Sequence, residues 1–172
     1  MKLDSDDFEL LGLPRRQAQD PAAIDARWRA VLGEVHPDRF VSEGAAAQRL
    51  AMQWSVRINE AHRRIKDPIR RAAYLCELHG ASIGAEDNTA MPAAFLMQQM
   101  EWRESLEAAT DMTQIDALAA EVRAARSRAL DELGRTIDER GDHAQAARQV
   151  RELMFVERFA SDVDARAEAL EQ

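Results

Sequence analysis

Apolar positions recur at helical spacing almost throughout the 172-residue chain, and no stretch sustains the alternation of a strand. Ile24, Trp28, Val31, Leu32 and Val35 form one stripe, and Leu50, Ala51, Trp54, Ile58, Ala61 and Ile65 form another. These predict helices over about 21–35 and 42–66. A short helix over 4–11 precedes them, with Asp4 or Ser5 as its cap, Phe8 and Leu11 inward, and Gly12 and Pro14 ending it. Asp20-Pro21 and Asp67-Pro68 each supply a cap followed by a first-turn proline. The second pair opens a helix over 69–79 with Ile69, Ala72, Ala73 and Cys76 inward. Residues 80–91 show no apolar period and predict a linker. Three helices follow, near 92–109, 113–139 and 142–171, separated by Thr110-Asp111-Met112 and Arg140-Gly141-Asp142. Short turns between them predict an antiparallel three-helix bundle. Its middle helix carries Ile115, Leu118, Ala119, Val122, Ala125, Ala129 and Leu133. Its last carries Ala146, Val150, Leu153, Ala160, Val163, Ala167 and Leu170.

Two stretches exceed what this packing needs. Between the first two long stripes stands Val35-His36-Pro37-Asp38-Arg39-Phe40. Pro37 cannot continue a helix and pushes His36 out of the helical region. The helices on either side therefore form a hairpin that presents a polar His-Pro-Asp tip, with Phe40 expected to fold back beneath it. The second stretch is 95–106. Phe95, Trp102, Leu106 and Ala109 share one side of the helix and suffice to pack it. Leu96, Met97 and Met100 lie on another side, beside Glu101 and Glu104, and Phe155 projects well away from the stripe of the last helix. A surplus apolar patch rimmed by carboxylates marks either a partner site or a face covered by the N-terminal helices.

Composition narrows the chemistry. One cysteine, Cys76, excludes an intramolecular disulfide and a multi-cysteine metal site, and its apolar surroundings make it a buried small hydrophobe. His36, His62, His79 and His143 show no ligand or nucleophile–base spacing, His62 reads as a solvated helix residue, and no Glu-x-x-His pair occurs. No enzyme activity, cofactor or metal is expected. An acidic start without an apolar run, and no segment long enough to span a bilayer, lead to the expectation of a cytoplasmic protein. Only Lys2 and Lys66 are lysines among the 23 basic residues, which reads as codon bias. Residues 1–80 carry 13 basic against 12 acidic side chains and residues 81–172 carry 10 against 19, so the net charge of −8 resides in the second half. That field repels phosphate backbones and argues against nucleic acid as a ligand.

The tip between two helices, and the closing Asp67-Pro68-Ile69-Arg70-Arg71-Ala72-Ala73-Tyr74, resemble a J-domain, the module by which DnaJ-type co-chaperones engage DnaK-class ATPases. The whole chain resembles the HscB family of J-domain co-chaperones for iron–sulfur cluster assembly. The segments that carry the likeness are Phe8-Glu9-Leu10-Leu11-Gly12-Leu13-Pro14, His36-Pro37-Asp38, Tyr74-Leu75, Leu78-His79-Gly80 and Ala94-Phe95-Leu96-Met97. The resemblance implies an all-α protein with a J-domain over 1–79, a linker over 80–91 and a scaffold-binding three-helix bundle over 92–172. It implies that His36, Pro37 and Asp38, with Arg27 and Arg29, meet a DnaK-class chaperone resembling HscA and stimulate its ATPase. It implies equally that Leu96, Met97, Met100, Glu101, Glu104 and Phe155 meet a cluster scaffold protein resembling IscU. The alternative is a J-domain co-chaperone for a different client. Ala108 stands where the family carries a further acid, Met100 where leucine is usual, and Asp25, Gly33 and Glu34 make the helix before the tip less basic than in many J-domains. The cysteine pairs of eukaryotic relatives are absent, so no zinc is implied.

Overall fold

The computed structural model describes residues 2–84 and 90–172, so part of the expected linker, 85–89, lies outside the described residues. Seven α-helices occur among them: α1 Asp7–Leu11, α2 Pro21–Val35, α3 Ala45–Lys66, α4 Pro68–Leu78, α5 Ala93–Ala108, α6 Met112–Asp138 and α7 His143–Glu171. A 3-10 helix, Pro37–Glu43, joins α2 to α3 where the sequence suggested only a loop and an earlier start to the third helix. The described residues contain no strand. The chain divides into two compact units, Met1–Leu75 and Cys76–Gln172, at a point inside α4.

In the first unit α2 and α3 pack along their length, and α1 lies against α3. Asp6, not Asp4 or Ser5, caps α1, its carboxylate accepting from the Glu9 amide at 3.0 Å. Phe8, Leu10, Leu11, Ile24, Val31, Ile58, Ala61 and Ile65 form the buried interior. Leu50, expected on the inward stripe of α3, is half exposed; Ala51 takes the buried place in that turn. Asp7 carries a fully buried charge. Its Oδ1 stands 2.6 Å from Arg57 and its Oδ2 accepts from Arg64 at 2.9 Å, so two cations of α3 neutralise one anion of α1. Breaking such a buried group's pairing typically costs about 3–5 kcal/mol. Gly12 closes α1 in the left-handed region at φ 63°, with the Arg27 guanidinium 2.7 Å from where a Cβ would stand. Both the backbone and the close approach require glycine there.

The second unit contains the bundle. α6 and α7 share its longest interface, and the shorter α5 packs against both. Its core joins Trp102, Ala109, Ile115, Leu118, Val122, Val156, Phe159 and Val163, with Phe95 and Leu106 partly buried against them. Ala146, Val150, Leu153 and Val163 follow the expected stripe of α7, but Val156 and Phe159 were not on it. The Phe159 ring stacks on Trp102 with centroids 5.5 Å apart, so this part of α7 buries a face against α5 as well as α6 and its apolar side is wider. Cys76 is fully buried, as its sequence context predicted, and burial pushes its thiol up to about 11, beyond reach as a thiolate at neutral pH. Arg151 is buried too and donates to the Ile83 carbonyl at 2.6 Å, fixing the segment after α4 onto α7. The imidazoles of His79 and His143 stack with centroids 3.7 Å apart.

Two expectations follow. Trp102→Ala should lower unfolding stability by about 3–5 kcal/mol, and Met97→Ala, on the exposed side of α5, by no more than about 0.5 kcal/mol; urea titrations of the two variants check this. Burial, then the neighbouring His79, holds His143 below its ordinary 6.5, against an opposing pull from Asp142 and a hydrogen bond to the Gly141 backbone. The unfolded chain therefore binds the proton first, and this group's contribution is complete above pH 6.5 and lost as pH falls through its lower folded value. His143→Phe keeps a ring on His79 and removes the titration. Its urea midpoint should fall less than that of the parent protein between about pH 7.5 and 5.5, and parallel losses would contradict the assignment.

Candidate functional site

The tip is built from both its flanks. Pro37 cannot donate a backbone hydrogen bond, and His36, at φ −58° and ψ 133°, turns the chain out of α2 as a residue before proline must. The next turn is held by the Arg39 amide on the His36 carbonyl at 3.0 Å, and by the Arg39 guanidinium on the Gly33 carbonyl at 3.0 Å. Arg39 thereby satisfies a carbonyl at the end of α2 that would otherwise lack a partner. The His36 ring accepts the Asp38 amide at Nδ1, 3.3 Å away. The same Nδ1 stands 3.5 Å from the Asp38 carboxylate, close enough for an ion pair whenever the ring is protonated. That carboxylate is 88% exposed. Phe40, expected beneath the tip, is half-buried. The three expected residues of the tip are therefore together, with an acceptor group directed to solvent.

What holds α2 against α3 behind the tip was not foreseen. Asp25 accepts from Lys66 at 2.8 Å and lies 2.8 Å from the His62 ring, and Lys66 and then His62 hold its carboxyl below the usual carboxylate range. His62 stacks on Trp28 with centroids 4.3 Å apart, and the indole donates to Asn59 at 2.9 Å. The expectation of a solvated His62 is corrected: its side chain is only 14% exposed. Trp28 enters the apolar stripe of α2 by its ring, and a stripe carries no information on its N–H. Of the two arginines expected beside the tip, Arg27 donates from Nε to the Leu11 carbonyl at 2.8 Å, at the end of α1, whereas Arg29 is exposed on α2.

The second cluster is in the bundle. Leu96, Met97 and Met100 are exposed on α5, at 48%, 61% and 62%, while Trp102 of the same helix is buried at 3%. Glu101 and Glu104 are exposed as well. Phe155, one turn before Phe159 on α7, is exposed at 37%. The Trp102–Phe159 stack makes these two helices neighbours. The neighbouring Met154 is also exposed and was missed, although its position beside Phe155 and off the stripe could have indicated it. Met52 and Val56, exposed one turn apart on α3, carried the same sequence signal and were missed too.

A His-Pro-Asp tip on a helical hairpin, followed by a helical bundle, is the architecture of a J-domain co-chaperone. Comparison with known proteins narrows the class. Residues 91–164 match the family described as the HSCB C-terminal oligomerisation domain. The chain is 52% identical over 174 residues to the co-chaperone protein HscB homolog of Burkholderia multivorans, covering 99% of each. It is 52% identical over 161 residues to that of Bordetella pertussis, covering 93% of this chain and 95% of the other. The solved chaperone HscB from Vibrio cholerae superposes with a TM-score of 0.82 at 31% identity, covering 96% of this chain and 99% of that one. Human co-chaperone HscB shares the fold, with a TM-score of 0.89 at 22% identity over 96% of this chain and 83% of its own. The chain belongs to the HscB co-chaperone family. No helix among the described residues is long and apolar enough to cross a membrane, and none of their His, Cys, Asp and Glu side chains gather in threes as a metal site requires.

The hairpin geometry separates fold from function. His62→Ala removes both the stack on Trp28 and the bond to Asp25, and should cost about 1–3 kcal/mol of stability in urea. Asp38→Asn touches an exposed group and should stay within about 0.5 kcal/mol of the parent in the same titration.

Proposed function

We propose that the protein stimulates the ATPase of a DnaK-class chaperone resembling HscA and delivers to it an iron–sulfur cluster scaffold protein resembling IscU. Residues 1–79 would act as the J-domain, 80–91 as a linker and 92–172 as the scaffold-binding bundle. The observation that carries this reading is the solvent-exposed Asp38 carboxylate at a tip whose other groups are engaged in building it. An arginine of the chaperone can meet that carboxylate in a charge-assisted, bidentate hydrogen bond. Pro37 sets the turn and His36 braces it. Arg29 steers the approach, and Arg27 adds its charge near α1 while holding the Leu11 carbonyl. Hydrolysis is accelerated in the partner by stabilising its hydrolysis-competent state, with no bond made or broken in this chain.

The bundle contributes the second contact. Leu96, Met97, Met100 and Phe155 provide an apolar surface that desolvates on binding, and methionines remodel readily around a partner. Glu101 and Glu104 favour a basic approach and act chiefly on association rate. This chain supplies no catalytic group of its own.

The test is the ATPase rate of the chaperone with this protein and with or without the scaffold. Asp38→Asn should abolish stimulation although the protein stays folded, and full stimulation by that variant would refute the tip mechanism. The triple change Leu96→Ala, Met100→Ala, Phe155→Ala should remove the scaffold's added effect and leave stimulation by the protein alone. Single truncations in the patch should each weaken scaffold binding by about 1–3 kcal/mol. A parent protein that stimulates the chaperone but does not retain the scaffold in a pull-down would point to a different client.

A further inference from the structure

Arg158 stands on α7 within one turn of Phe155, and its guanidinium carbon lies 5.7 Å from the centre of that ring. It makes no hydrogen bond and no ion pair among the described residues. Carboxylates are close in sequence, yet neither engages it. Glu157 is taken by Arg126 of α6, and Asp162, one turn further along α7, remains unpaired. Among the described residues Arg158 is therefore engaged by the aromatic face alone, in a half of the chain where acidic residues outnumber basic ones by 19 to 10.

That arrangement has a chemical consequence. A guanidinium lying over an aromatic ring is held by the ring's quadrupole, while its edge N–H groups stay directed to solvent. The planar fork matches a carboxylate bidentately, and being held in advance it loses less freedom when it binds one. Across the patch the signs are opposed: Glu101 and Glu104 border it on α5, and Arg158 borders it on α7. An apolar surface with one acidic and one basic edge accepts a partner in one orientation and repels it in the reverse one.

We infer that Arg158 is a specificity-determining residue of the docking patch, holding the Phe155 ring in its exposed setting and receiving a carboxylate of the scaffold protein. Met154, exposed beside Phe155, extends the apolar surface on the same helix. The inference rests on the scaffold-binding role proposed above for the patch. It predicts that the scaffold surface meeting α7 is acidic, while the surface meeting α5 is basic.

The experiment measures association and dissociation of the full-length protein with a cluster scaffold protein of the IscU type, at low and at moderate salt. Arg158→Glu, Arg158→Lys, Met97→Ala and the parent protein are compared, and far-ultraviolet circular dichroism verifies that each is folded. Arg158→Glu should weaken binding by roughly tenfold or more, mainly through association, and the deficit should shrink as salt rises. Arg158→Lys keeps the charge without the planar fork and should fall between Arg158→Glu and the parent, with its loss in dissociation. Binding of Arg158→Glu at parental strength, beside a weakened Met97→Ala, would overturn the role of Arg158 and leave the patch standing. Parental binding by both variants would overturn the patch reading, and this inference with it. An Arg158→Glu deficit that salt does not alter would overturn the carboxylate contact.

Discussion

The first unit depends on one carboxylate shared between two helices. Asp25 of α2 meets both Lys66 and His62 of α3, and His62 in turn lies on Trp28. Two helices with apolar stripes can slide along each other at little cost, because burial is not directional. A hydrogen-bonded ring stacked on an indole whose own N–H reaches Asn59 tolerates far less sliding. The register so fixed determines where along α3 the end of α2 and its 3-10 turn stand. The tip is thus exposed, yet its position is set by contacts some distance behind it.

A second constraint attaches α1 and α4 to the last turns of α3. Asp7 is buried with two arginines, and Arg71, also buried, donates to the Gln17 and Ile65 carbonyls. These pairings are directional and costly to break, which makes them better at specifying how α1 and the loop before α2 attach than at raising total stability. The acceptors of Arg71 are main-chain groups at a helix end and in a loop, the places where unpaired backbone is most expensive. The near-neutral first unit can satisfy such pairs internally. The bundle carries most of the chain's negative charge on its surface.

The two candidate surfaces differ in kind, and their stability costs differ with them. A polar tip costs little to expose, since its groups are hydrated. An apolar patch is unfavourable in water and persists on α5 because the opposite side, with Trp102 against Phe159, supplies enough burial to fold the helix. The proposed contacts with two partners would use one surface of each kind.

Much of this was legible in residue order. Helix number and succession, the interruption at Pro37, the burial of Cys76 and the two faces of α5 follow from periodicity and from the stereochemistry of proline, both local properties of the chain. The likeness of the His36-Pro37-Asp38 region to J-domains was legible too. What the sequence could not supply were the partners of polar groups. That His62 belongs to Asp25 and Trp28, that Arg27 serves the end of α1, and that Arg158 lies on Phe155 without an acid are matters of which atoms meet after folding. The same holds for Val156 and Phe159, absent from the stripe of α7 because the width of a buried face depends on how many helices pack against it. Apolar burial follows a repeating pattern that one helix carries by itself, whereas a hydrogen bond or an ion pair needs two groups whose meeting only the tertiary structure arranges.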